Sequence, residues 1–156
     1  MWLAVALSAC SETCPTPTDA LNGREWSVFS QAASYTIDGE SFPAESTPAS
    51  GTHTVSIDWS SRELDAPVVV TVDGQSFDGE GVWSDTECGT FSIAYSGVYL
   101  AEDGAEHAFA ASTLLTTWLA NPARLEGFVD WDESWASVEG EVGTFSADLQ
   151  WFGRER

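Results

Sequence analysis

The stretch H-T-V-S-I-D-W, His53 to Trp59, decides the fold. Its side chains alternate. His53, Val55, Ile57 and Trp59 share one face, and Thr54, Ser56 and Asp58 share the other. Successive side chains of a strand point to opposite faces, so strict alternation predicts a strand with one face buried. The same grammar runs outward in both directions. Upstream, R-E-W-S-V-F-S places Trp26 and Val28 on one face. A-S-Y-T-I-D-G-E-S-F (33–42) reads as a strand, a turn at Asp38-Gly39 and a return, because Asp-Gly supplies the positive φ angles of a tight hairpin. Downstream, P-V-V-V-T-V-D-G-Q-S-F-D-G (67–79) turns at Asp73-Gly74, and G-T-F-S-I-A-Y-S-G-V-Y-L (89–100) sets Phe91, Ile93, Tyr95 and Tyr99 on one side.

Three further segments complete the chain. A-E-H-A-F-A-A-S-T-L-L-T-T-W-L (105–119) has the alanines of a helix. Its threonines, its position between strands and its flanking turns, Glu102-Asp103-Gly104 and Asn121-Pro122, assign it to strand. R-L-E-G-F-V-D-W-D-E-S-W (124–135) and G-T-F-S-A-D-L-Q-W (143–151) follow, the latter with Phe145, Ala147, Leu149 and Trp151 in register. An internal echo joins Phe77–Trp83 and Gly89–Ser92 to Leu125–Trp131 and Gly143–Ser146. In both places an apolar residue, an acid and a glycine lead to a tryptophan, and the next strand opens with G-T-F-S. Two copies of a three-stranded meander and shared hairpin grammar both account for this. Either way, consecutive strands pair antiparallel. The expected fold is all-β: an antiparallel meander of about eight strands that must hide its edges. Long strands joined by short turns favour an up-and-down, lipocalin-like barrel over a two-sheet sandwich.

At 156 residues the chain suits one domain with a real core, since a chain of this length buries roughly two-thirds of its unfolded surface. Apolar residues make up 43% and aromatic residues 12%, which argues against disorder. The charge is extreme: 25 acidic residues stand against five arginines and no lysine, a net of −20. Such a surface repels phosphate backbones and anionic headgroups, which argues against nucleic-acid binding and against electrostatic attachment to membranes. The acid excess reads as solubility in a salty or cation-rich medium.

The start of the chain has another character. Residues 1–9 form an apolar run too short for a bilayer, which needs about 20 residues; a signal-peptide core fits better. The residues that end it, Leu7-Ser8-Ala9-Cys10, resemble the lipobox of bacterial lipoproteins. The resemblance covers some ten residues. It implies cleavage before Cys10, a diacylglycerol on the Cys10 thiol and an acylated terminal amine. Ser11 is similar to the residue type that permits outer-membrane sorting. That family places Lys or Arg before the apolar run, and Met1-Trp2-Leu3 has neither. The implied organisation is a signal peptide at 1–9, a lipidated, semi-extended tether at 10–19, and a single all-β domain at 20–156. Two or more acyl chains anchor stably, at about 0.8 kcal/mol per buried CH₂. The implied location is the bacterial envelope, with the outer membrane favoured.

The chain has three cysteines, Cys10, Cys14 and Cys88. Lipidation of Cys10 leaves Cys14 and Cys88 either as a disulfide in an oxidising compartment or as two free buried thiols. A Cys14–Cys88 bridge closes a loop of about 75 residues, worth at most roughly 4.5 kcal/mol in the chain-entropy model.

Chemistry-bearing residues are sparse. His53 and His107 fall on the apolar phase of their strands, without the spacing of a metal or nucleophile motif, and read as hydrogen-bonded structural or rim residues. D-W-D-E-S, Asp130 to Ser134, begins like a calcium loop, but Trp135 holds the position that needs glycine. It reads as a strand with Asp130, Asp132 and Ser134 on a solvated face. Seven tryptophans follow the proposed cleavage point. They are expected to fill the interior or cap its ends; if a pocket exists, Trp131 and Trp135, which share a face, are the first candidates to line it. No cofactor and no catalytic residues are expected. The expected role is non-catalytic, a binding, surface or assembly function with an envelope protein partner. The alternative is a lipocalin-like carrier of a small apolar ligand, and an enzyme ranks below both.

Overall fold

The computed structural model describes residues 15–44, 50–84, 86–101, 104–119, 123–137 and 139–156. One helical turn, α1 (Pro17–Ala20), precedes nine strands. These are β1 (Trp26–Ile37), β2 (Glu40–Phe42), β3 (Gly51–Trp59), β4 (Asp65–Val72) and β5 (Gln75–Trp83), then β6 (Thr90–Leu100), β7 (Glu106–Trp118), β8 (Arg124–Ala136) and β9 (Val142–Glu155). The expected meander is present; the return after Asp38-Gly39 is β2, and the segments read separately around Trp26 and Tyr35 form one strand, β1. The 105–119 segment is a strand despite its alanines.

All nine strands belong to one antiparallel sheet in the order β2-β1-β3-β4-β5-β6-β7-β8-β9, and β9 pairs again with β1. The ladder thus returns on itself as a ring of hydrogen bonds. The β1–β9 pairing extends from Trp26↔Glu155 to Ile37↔Phe145, with a register shift between Ala32 and Ser34. That shift is a bulge. It turns the strand's inward phase from Trp26, Val28, Ser30 and Ala32 to Tyr35. Beyond the bulge, β1 pairs with β2 instead of β3. The β1–β2 and β4–β5 turns have positive φ at both central residues, 50° at Asp38 and 80° at Gly39, 49° at Asp73 and 85° at Gly74. That conformation matches the twist of the flanking strands.

The echoed segments occupy β5–β6 and β8–β9, but their registers differ. Trp83 stands opposite Phe91, whereas Trp131 stands opposite Ala147.

Because the strands alternate in direction, the connections fall at two ends of the ring. At one end lie α1, the β3–β4, β5–β6 and β7–β8 connections and the C-terminus. The interior is packed solid towards this end, with Trp26, Val28, Val55, Phe91, Leu115 and Leu125 all fully buried. Of the tether at 10–19, expected to be semi-extended, residues 15–19 are described. There, Pro17–Ala20 coil instead, because Thr16 caps the turn, Pro17 starts it, and the Asp19 N–H donates to Thr16 Oγ1 at 3.4 Å. Ala20 and Leu21 are buried in the core behind it. The Asn22 side chain then serves as a strand partner. Its amide donates to Trp59 O (2.8 Å) and its carbonyl accepts from Trp59 N (2.7 Å). Gly81 lies directly beneath the Trp59 ring, where any Cβ would collide. Among the described residues no helix is long and apolar enough to cross a membrane.

Candidate functional site

The other end of the ring is not filled. A cavity of about 620 Å³ occupies the open half. Its walls follow from the alternation already read: every second side chain of each strand faces in, and the strands run past the packed half. Phe109 on β7 and Trp131 on β8 form the central wall, their rings stacked 4.3 Å apart at 6°. Phe77 and Tyr95 meet Phe109 edge-on at 4.8 and 5.8 Å. Nearer the mouth, His107 lies between two rings, Tyr99 at 5.0 Å and Trp135 at 5.6 Å. Gly143, opposite Trp135 across the ladder, leaves room for the indole to lie flat against the wall.

The tryptophans divide by height. Trp26 and Trp59 fill the packed half, while Trp131, Trp135 and Trp151 line the cavity. Trp118 is 47% exposed and belongs to neither group.

Glu133 is the residue that the sequence reading missed. It stands between Trp131 and Trp135 on the inward phase, and its side chain is only 10% exposed. Trp131 Nε1 donates to Glu133 Oε2 at 2.9 Å, and His107 Nδ1 lies 2.5 Å from Oε1. A buried carboxylate needs such donors. The Tyr99 hydroxyl, 3.4 Å from His107 Nδ1, completes the cluster. Burial, reinforced by the charge of Glu133, pushes the Tyr99 hydroxyl far above its ordinary range. Period-two counting was the available signal: the face that carries 131 and 135 also carries 133.

On the opposite lip, His53 Nδ1 lies 2.8 Å from Asp73 Oδ2, and the Thr54 N–H donates to Asp73 Oδ1 at 2.8 Å. Burial raises the Asp73 carboxyl, but these hydrogen bonds outweigh it and hold it below the usual carboxylate value. Both histidines are thus hydrogen-bonded and line the cavity. Two hydroxyls that line the cavity have no such partner. Ser30 Oγ and Tyr95 OH, on residues 2% and 4% exposed, make no hydrogen bond among the described residues. Burial also pushes the Tyr95 hydroxyl upward.

Asp130, Asp132 and Ser134 are exposed on the outer face, and Asp132 Oδ1 accepts from the Ser146 hydroxyl at 2.6 Å. Among the described residues no group of three or more His, Cys, Asp or Glu side chains is placed to hold a metal ion. Cys88 lies in the β5–β6 connection, at the packed end. Cys10 and Cys14 lie outside the described residues, as do the lipobox-like segment and the Asn121-Pro122 turn. Comparison with known proteins finds no match to a family model, a curated protein or a solved structure.

Proposed function

We propose that the chain is a lipid-anchored binding protein of the bacterial cell envelope, a non-catalytic up-and-down barrel that holds a small, largely apolar ligand in its open half. The carrying observation is the cavity of about 620 Å³, walled by stacked aromatic rings and entered from one end of the ring. Its size lies in the range of small-molecule sites, which are concave, mostly apolar and furnished with a few placed polar groups. Rings of about eight strands are wide enough to hold one such ligand. This favours the carrier reading over a purely structural or assembly role.

The tether fits the same picture. The chain enters at the packed end through α1, so an anchor on Cys10 leaves the mouth pointing away from the bilayer. Cys88 sits at that same end, which favours its pairing with Cys14 to fasten the tether to the wall.

Titration with N-phenyl-1-naphthylamine, an uncharged apolar dye, tests the binding reading. The account predicts saturable dye fluorescence, with energy transfer from the cavity tryptophans, at one dye per chain. A linear, unsaturable response sinks it. Intact mass of the membrane-extracted protein tests the anchor: the expected species starts at Cys10 and carries acyl chains, and an unmodified amino terminus contradicts that.

A further inference from the structure

The ligand's charge is legible from the cavity and from the distribution of ionisable groups around it; the inference rests on the reading of the open half as a ligand site. All five arginines of the chain sit at the packed end or on strand ends that lead to it: Arg24 before β1, Arg62 in the β3–β4 connection, Arg124 opening β8, and Arg154 and Arg156 closing the chain. Arg24 and Arg156 are engaged there with Glu155 and Glu25. Arg156 also reaches along the outer wall to Thr54 Oγ1 at 3.3 Å, but no arginine lines the cavity. Among the described residues that line it stand two carboxylates, Glu133 and Asp73, each already held by an imidazole. A cleft with low-dielectric walls in a protein of net charge −20 focuses a negative field at its mouth.

We propose that the cavity takes an organic cation, an amphiphile whose positively charged nitrogen lies beside Glu133 and against the faces of the surrounding aromatic rings, with its apolar body in the cavity. Glu133 has the capacity. An ionised carboxylate offers about four acceptor sites, and the Trp131 and His107 nitrogens account for two donors. Indole and phenol faces attract cations through the ring quadrupole, more strongly as desolvation increases. Among the described lining residues an anionic headgroup in the same place meets two carboxylates, two imidazoles already bound to them, and no guanidinium. The hydroxyls of Ser30 and Tyr95, unpartnered among the described residues, border the cavity and are placed to hydrogen-bond an occupant that carries polar atoms as well as apolar ones.

The test is displacement of bound N-phenyl-1-naphthylamine by three probes with one decyl chain in common: decyltrimethylammonium, decanol and decanoate, each below its micellar concentration. The ammonium is expected to displace the dye at a concentration at least about tenfold lower than decanoate, with decanol between them. In the Glu133→Gln protein that ratio, taken relative to the variant's own dye affinity, falls towards unity, and a cooperative thermal unfolding transition reports that the variant is folded. Decanoate displacing as well as the ammonium, or a ratio unchanged by Glu133→Gln, overturns the charge preference and leaves the binding reading intact. Failure of the dye to bind the parent protein overturns both.

Discussion

Glu133 and the two cavity tyrosines show what alternation does to polar residues. A strand that must turn Trp131 and Trp135 inward turns Glu133 inward with them, and the His107 and Trp131 nitrogens make that tolerable. Tyr95 and Tyr99 are turned in by the same rule on β6. Burial disfavours their ionised forms, so both keep their protons well above the ordinary value of 10.0. The unfolded chain releases those protons near the ordinary value, before the native protein does. Stability from these groups is therefore fully present below that pH and is lost as pH rises beyond it. A spectrophotometric titration is expected to show Tyr95 and Tyr99 ionising only as the protein unfolds, with single Tyr→Phe variants assigning each step. Reversible ionisation of both at the ordinary value, in folded protein, contradicts their placement. Period two set Trp131 and Trp135 on one face, while the sequence favoured filling over lining for the tryptophans; both border the cavity. Glu133 obeys that period too, but chemical type argued for solvent and hid the position. The unpartnered Ser30 was invisible for a similar reason: a serine on an inward phase has no local mark.

At the level of elements, the hairpins were the most legible features. Asp38-Gly39 and Asp73-Gly74 announce their turns because few other pairs adopt two consecutive positive φ angles. The strand at 106–118 was legible through its threonines and its setting. The helical turn was passed over, although Thr16-Pro17 with Asp19 is a capping pattern; its two prolines suggested an extended tether instead. The bulge in β1 leaves one trace, a change of apolar phase from Trp26 and Val28 to Tyr35 and Ile37, which two separately read segments concealed. Glycine placement between strands is equally a matter of partners. Gly81, on β5, pairs with Ala66 and Ile93 and lies under the Trp59 ring from β3. Gly81→Ala forces that buried indole to move, and overpacking of this kind costs about 1–3 kcal/mol. Chemical denaturation is the measurement; an alanine protein as stable as the parent contradicts the packing described.

For the whole molecule, the decisive feature was the one with least local signal. Pairing of β1 with β9 joins residues more than a hundred positions apart, and no turn or motif encodes it. It follows from the need of a long meander to pair its first and last edges. Ring closure creates the interior, and the uneven filling of that interior creates the site: α1 and the large side chains at one end, a cavity at the other. Val72, at the mouth end of β4, faces the cavity and is only partly buried, so a larger side chain there projects into the cavity more than into the core. Dye titration of the Val72→Trp protein beside its parent therefore bears on the central claim. The account predicts saturable one-to-one binding by the parent and an affinity loss of at least about tenfold in a variant that unfolds within a few degrees of it. A folded Val72→Trp protein that binds the dye as tightly as the parent places the ligand somewhere else and contradicts the account.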